Sequence, residues 1–337
     1  MELVGFRALK TTTQRDKKMT TTPKSRWSDL PRRLATIVIG FPLIVLLLSN
    51  HQTARLFFLG VNVIASIEWV NLSQQAPPPP QQTNHRPIVS TRAKALFCLM
   101  SWIVSLLPTQ HVLLGIVLAT TLLFFFANDN DNDSNVAAKK KDNNRGEQLP
   151  VFWLWLLGLV FLSLPMHCWI RIAQRSFCDT VTLLLIVWNC DTGALVVGRL
   201  SKNKKKRIQP PQWLSDISPS KSVEGILGGI LFGVATTLAA SPLWKYCNQT
   251  TTWLSPGAAP ENSNHYWWND FSLPNQLLFG IVLSILAIVG DLMESGVKRR
   301  CGCKDSSKLL PGHGGVLDRF DSSLLAVVVY HAILFSS

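Results

Sequence analysis

The sequence predicts an all-α, polytopic membrane protein with about nine transmembrane helices, and two observations carry that expectation. Apolar runs near the length of a bilayer crossing recur along the 337 residues: 34–49, 56–72, 95–107, 112–127, 151–166, 180–197, 226–243, 277–292 and 324–335. Only 16% of residues are charged against 47% hydrophobic, and mean hydropathy is +0.20. The net charge of +13 would suit a nucleic-acid binder. Its distribution fits a membrane protein better, because the cations collect in segments between apolar runs, as loops on the cytoplasmic side do.

In chain order, residues 1–33 form a basic, Thr-rich arm (Arg7, Lys10, Arg15, Lys17, Lys18, Lys24, Arg26, Arg32, Arg33). It is read as a disordered arm or a transit peptide, since it lacks the apolar centre of a secretory signal. Residues 34–179 form an N-terminal transmembrane region interrupted by two low-complexity loops, a polyproline-prone linker at 74–82 and a polar Asn/Asp/Lys tract at 128–144. Residues 180–337 form a C-terminal catalytic transmembrane region. With the N-terminus inside, the basic segments 199–221 and 298–319 share the inner face and the weakly acidic 244–270 lies outside. Arg171 and Arg175 then fall in a short outer loop, a mild exception to the positive-inside pattern. Tyr266, Trp267 and Trp268 suit an interfacial aromatic belt. Seven scattered cysteines form no disulfide framework, and Cys301 with Cys303 lacks a second pair at zinc spacing.

Three stretches carry chemistry. Asp191 stands inside an apolar span beside Gly193, and a charge there is expensive enough to mark a functional site. Ser218, Lys221 and Glu224, with Gly225, Gly228 and Gly229, lead a loop into a helix whose first N–H groups could face a phosphate; the glycines would permit close helix packing or close approach of a ligand. The third stretch runs from Asp291, which ends an apolar run and so is placed at a helix mouth, through Ser295, Lys298, Arg299, Lys304, His313, Gly314 and Gly315 to Asp318 and Asp321. Asp318 and Asp321, three apart, are expected on one helix face. With Asp291 they form an oxygen-donor set suited to Mg²⁺. The surrounding cations suit a polyphosphate. The residues alone therefore point to a membrane enzyme that uses a divalent metal on a phosphate-rich substrate at the cytoplasmic-side ends of the C-terminal helices.

The stretch from Ser295 to Asp321 resembles the signature of the phosphatidate cytidylyltransferase family, the CDP-diacylglycerol synthases. The match runs through Ser295, Val297, Lys298, Arg299, Lys304, Asp305, Ser307, Leu310, Pro311, His313, Gly314, Gly315, Val316, Asp318, Arg319, Phe320 and Asp321. Asp191–Ala194 with Gly198–Arg199, and Ser218, Pro219, Lys221, Glu224, Gly225, Gly228 and Gly229, are similar to two further family segments. Leu195 departs from the usual aromatic, Ser222 from the usual Thr, and the segment 201–216 is longer than in compact members.

The resemblance implies conversion of CTP and phosphatidic acid to CDP-diacylglycerol and pyrophosphate, by in-line attack in phospholipid biosynthesis. It implies Lys298, Arg299, Asp318 and Asp321 as catalytic residues. Ser218, Lys221, Glu224, Ser295, Lys304, His313, Gly314, Gly315 and Asp191 would bind substrate, and Asp291, Asp318 and Asp321 would hold Mg²⁺; a second, monovalent ion stays open. The expected partners are CTP, phosphatidic acid and the bilayer, with no nucleic acid and a homodimer as the assembly. The expected membrane is the endoplasmic reticulum or a plastid or mitochondrial inner membrane, with the site on the cytosolic, stromal or matrix side. The rival readings are a CTP-dependent polyprenol or phytol kinase, and a transporter with Asp191 and Asp291 along an ion path.

Overall fold

The computed structural model describes residues 30–74, 91–129, 153–201, 208–250, 271–307, 309 and 314–336. Most of the basic arm, the 75–82 and 130–144 tracts, the 266–268 aromatic cluster and His313 lie outside these residues. Each apolar run of the sequence overlaps a helix, and no strand occurs among the described residues. The helices are α1 (Leu30–Leu48), α2 (His51–Ser73), α3 (Thr91–Leu106), α4 (Val112–Asp129), α5 (Trp153–Arg175), α6 (Phe177–Ser201), the short α7 (Gln212–Ile217), α8 (Val223–Thr250), α9 (Leu273–Arg300), the single-turn α10 (Leu317–Phe320) and α11 (Ser323–Ser336). Five of them, α2, α5, α6, α8 and α9, are long and apolar enough to cross a membrane.

Local sequence explains several boundaries. Asn50 caps α2 by accepting the Gln52 N–H at 2.8 Å. Inside α5 the backbone widens into a π turn at Leu159–Ser163, just before Pro165, which has no N–H to offer the regular ladder. Only Ser176 separates α5 from α6, so Arg171 and Arg175 sit in the last turns of α5 and not in a loop.

In the first half, α2, α3 and α5 are joined by buried polar side chains. Asn62 donates to the Ser101 carbonyl (3.2 Å) and Ser105 Oγ (3.1 Å), and Ser163 Oγ donates to Ser101 Oγ (3.0 Å). Such groups hold helices together where packing solvent is as apolar as the side chains. Phe58 stacks on Trp169 at 5.0 Å, and Trp169 Nε1 donates to Ser323 Oγ at 3.3 Å, which carries the contact on to α11.

The second half is built on the α6–α8 pair, the most extensive packing in the molecule. A Cβ added at Gly193 would lie 2.7 Å from the Gly228 carbonyl, and one at Gly225 2.9 Å from the Ala194 carbonyl. These glycines therefore serve helix packing: they let two backbones touch, which brings Asp191 on α6 alongside α9 and α11.

Candidate active site

Two nearby segments of α9 and the chain beyond it form the site. Asp291 is not at a helix mouth, as its place after the apolar run had suggested. It lies inside α9, nine residues before Arg300, or about 14 Å from that end at 1.5 Å per residue. Asp191 lies ten residues before Ser201 in α6, a recess of about 15 Å. Gly290 meets the chain at Asp321 so closely that a Cβ there would stand 2.6 Å from the Asp321 carbonyl. Ser322 then joins the three elements: its N–H donates to Asp321 Oδ1 at 2.7 Å and its Oγ to Asp191 Oδ2 at 2.8 Å. Lys221, from the turn before α8, reaches Asp291 Oδ2 at 2.7 Å, and Ser295 Oγ donates to Asp291 Oδ1 at 3.3 Å.

Asp318 and Asp321 go to different neighbours, because α10 ends at Phe320 and Asp321 starts the next turn. The Asp318 carboxylate accepts Lys298 Nζ at 2.8 Å, the Gly315 N–H at 2.7 Å and the Ser306 N–H at 3.0 Å. Gly314, next to Gly315, takes a φ of +80°, a conformation that suits glycine and turns the loop back onto this carboxylate. Burial alone would raise the Asp318 pKa, but the Gly315 N–H and the Lys298 ammonium outweigh it and hold the group below the ordinary carboxylate range. Asp321 is opposite. Burial pushes it well above that range, and the charges of Asp291, Glu294 and Asp191 push it further.

Glu294 is fully buried one turn from Lys298, with Oε2 against the ammonium and Oε1 without a hydrogen-bond partner. Arg299 is exposed and braces two loops, donating to the Ile217 carbonyl and the Cys303 carbonyl, each at 3.3 Å. Lys304 is exposed, and Gly314 and Gly315 belong to the loop described above. Ser218 is buried in the turn that precedes α8, its carbonyl accepting the Lys221 N–H at 3.1 Å, while Ser222 Oγ accepts the Gly225 N–H at 3.2 Å. The first donors of α8 are thus partly met by the chain itself. Glu224 accepts the Ile208 N–H at 2.9 Å. Burial pushes the Cys301 thiol up to about 11, which keeps it protonated and a poor ligand.

One residue of the site was not singled out in the sequence. Glu68, on α2, is 3% exposed and accepts four hydrogen bonds from the loop between α9 and α10. The donors are Ser306 Oγ (3.0 Å), Ser307 Oγ (2.6 Å), the Val316 N–H (3.0 Å) and the Leu317 N–H (2.8 Å). It caps α10 from outside. An acid inside an apolar helix, here in its last third, was the available signal, the same one that marked Asp191.

Among the described residues no three His, Cys, Asp or Glu side chains are gathered into a ready-made metal site. The chemistry of Asp191, Asp291, Glu294 and Asp321 still fits a hard divalent ion: their charges act on one another, Asp321 cannot easily ionise among them, and Glu294 Oε1 is an orphaned buried oxygen. Asp318 does not join them, since its carboxylate is already occupied.

The architecture is a helical bundle with five helices fit to cross a membrane, with buried and half-buried acids, the buried Lys298 and the half-buried Lys221 where α6, α9 and α11 meet. The cytidylyltransferase family model matches residues 31–337, and the chain belongs to that family. It is 37% identical over 153 residues to a phosphatidate cytidylyltransferase of Staphylococcus epidermidis, covering 45% of this chain and 47% of that one. It is 34% identical over 155 residues to the Staphylococcus aureus protein of the same name (45% and 47%) and 36% over 150 residues to that of Staphylococcus haemolyticus (44% and 46%). The aligned part spans about half the length of the curated relatives it matches.

Proposed function

We propose that this protein is a phosphatidate cytidylyltransferase, forming CDP-diacylglycerol and pyrophosphate from CTP and phosphatidic acid. The observation that carries the reading is the convergence of the half-buried Asp191, Asp291 and Lys221 on the buried Asp321, with Lys298 held beside them by Glu294 and Asp318, within a chain of this family. A phosphate oxygen of phosphatidic acid attacks the α-phosphorus of CTP. The new P–O bond forms as the bond to the β-phosphate oxygen breaks, and pyrophosphate carries away the electron pair. Such a transfer asks little covalent chemistry of the protein; positioning and charge neutralisation dominate.

Asp191, Asp291 and Asp321 are the residues assigned to hold Mg²⁺, with Glu294 behind them. When bound, the ion neutralises phosphate charge. Lys221, freed from Asp291 when the substrate arrives, and the exposed Arg299 and Lys304 take the polyphosphate, with Ser295 and His313 orienting it. Lys298 holds a fixed positive charge between Glu294 and Asp318, and Asp318 locks the loop. Ser218 and Glu224 shape the turn that presents Lys221, and Gly314 and Gly315 the turn that encloses Asp318. An open groove of about 550 Å³ along the α6–α8 pair, lined by Leu231, Phe232, Leu243 and Asn189, offers an acyl chain a path to within two residues of Asp191.

The finer topology belongs to the same reading. All nine apolar helices cross or enter the bilayer, the 301–316 loop faces the cytosol, stroma or matrix, and the 180–337 region carries the chemistry in a homodimer in an endoplasmic reticulum or organelle inner membrane. The test follows label from CTP. Cytidine label entering lipid in Mg²⁺-supplied, purified protein is the expected result. Transfer of γ-phosphate alone would make it a lipid kinase, and no turnover of CTP with phosphatidic acid present would point to transport.

A further inference from the structure

At the other end of the bundle α5 carries a second polar cluster that this chemistry does not use. His167, Arg171 and Arg175 recur every four residues and so share one face of α5. That face meets His331 and Phe335 of α11. The Arg175 guanidinium carbon lies 5.0 Å and that of Arg171 5.8 Å from the Phe335 ring centroid, while the His331 ring is 4.4 Å from it. Arg175 Nη1 also donates to the Leu334 carbonyl at 2.5 Å. His167 stands 6.0 Å from His331 and is itself satisfied, by the Ser105 carbonyl and Thr109 Oγ1, each at 3.2 Å.

His331 differs. It is 7% exposed, and its Nε2 is buried without a hydrogen-bond partner. Neither arginine is ion-paired among the described residues. The acid on the adjoining turn of α6 is Asp179, and its Oδ1 accepts the Tyr330 hydroxyl at 2.7 Å; α11 has no acid at all. Two guanidinium groups and a buried imidazole nitrogen thus gather at a helix end, and among the described residues no negative charge pairs with either arginine. The start of α6 is fourteen residues before Asp191, so this end is about 21 Å from the carboxylate cluster.

We infer that Arg171, Arg175 and His331 form a binding site for a phosphate group at the end of the bundle away from the carboxylates. Guanidinium forks match phosphate oxygens in pairs, Phe335 holds the forks in place, and the imidazole supplies a further donor when its Nε2 carries a proton. Arginines merely reaching toward water at a membrane edge would need neither the ring contacts nor the orphaned nitrogen.

The phosphate has two possible sources, a lipid headgroup or free phosphate, and the full chain in nanodiscs separates them. In phosphatidylcholine discs containing phosphatidylglycerol, native mass spectrometry counts the anionic lipid that stays bound. In pure phosphatidylcholine discs, inorganic phosphate is titrated against chloride at matched ionic strength and the melting temperature is read. The expected result is retained phosphatidylglycerol that falls about tenfold in both Arg171→Gln/Arg175→Gln and His331→Phe. A phosphate-dependent rise in melting temperature, lost in both variants, identifies free phosphate instead. The arginines are exposed, so the double variant should keep the elution profile of the folded protein. The site is overturned if wild type shows neither signal, if the signals persist in the double variant, or if folded His331→Phe behaves as wild type.

Discussion

Glu68 accepts the Leu317 N–H at 2.8 Å across 249 residues of sequence, and so a side chain of the second helix sets the start of α10. With Lys298 on Asp318, this gives the loop before Asp321 two buried anchors from different parts of the chain. Hydrogen bonds to a charged group contribute roughly 1.5–3 kcal/mol each, so the loop position depends heavily on this one carboxylate.

Glu68→Gln replaces two acceptor oxygens by one and sets an amide N–H₂ against N–H donors. Turnover should fall at least about tenfold while the global melting temperature moves little, because the damage is a misplaced loop. Proteolysis within 301–316 should quicken in the same variant. Wild-type turnover together with wild-type cleavage would dismiss the anchor.

Asp318→Asn leaves Lys298 paired with Glu294 alone and should lower stability by about 1.5–3 kcal/mol, the contribution of hydrogen bonds to a charged group. The Asp318 carboxyl titrates below its ordinary range, so its contribution is present above the unfolded pKa, about 4, and is lost as pH falls through the folded value. Melting followed by tryptophan fluorescence should show an acid decline in the wild type that is shallower in the variant.

Asp321→Asn should do the reverse at neutral pH. The folded protein holds this carboxyl well above its ordinary range, so ionising it opposes folding above the unfolded pKa. Without added metal the variant should melt higher than wild type and yet be inactive. Added Mg²⁺ should raise the wild-type melting temperature and leave that of the variant nearly unchanged, since binding to the folded state alone is what stabilises it.

EDTA should abolish CTP turnover, and Mg²⁺ should restore it. Asp191→Asn should require more Mg²⁺ for half-maximal rate. A metal titration identical to wild type would remove Asp191 from the donor set.

Gly228→Leu should break the α6–α8 contact. Even a Cβ there would lie 2.5 Å from the Val197 side chain and 3.0 Å from the Gly193 carbonyl, so the helices must part. Activity should be lost with several degrees of melting temperature. Gly60→Ala, with nothing within 4 Å of the added atom, is the control and should stabilise α2 by about 0.5–1 kcal/mol.

Much of this was legible without coordinates. The apolar runs marked the helices, because helix formation in a membrane-grade segment is dictated by its own backbone and length. The spacing from Ser295 to Asp321 marked the family, because that signature is a local string. Asp191 was visible for a local reason too: a charge within an apolar span is expensive wherever it points. What sequence could not supply was the pairing of distant groups. Asp318 and Asp321 looked equivalent at three residues apart, and only the end of α10 at Phe320 sends one to Lys298 and the other toward Asp191. Asp291 looked terminal because the apolar run stops there, yet α9 continues to Arg300 on hydrogen bonds that are indifferent to hydropathy.

By itself the sequence determined the class of chain, its helices and the identity of its polar residues. Those follow from solvent preference and backbone geometry acting over short stretches. The tertiary structure alone decided that Glu68 holds the loop, that Asp318 is a clamp while Asp321 sits among acids, and that Arg171, Arg175 and His331 meet at Phe335. Each is a contact between segments far apart in sequence, set by how close the glycine-lined helices can approach and by the need of every buried charge for a partner.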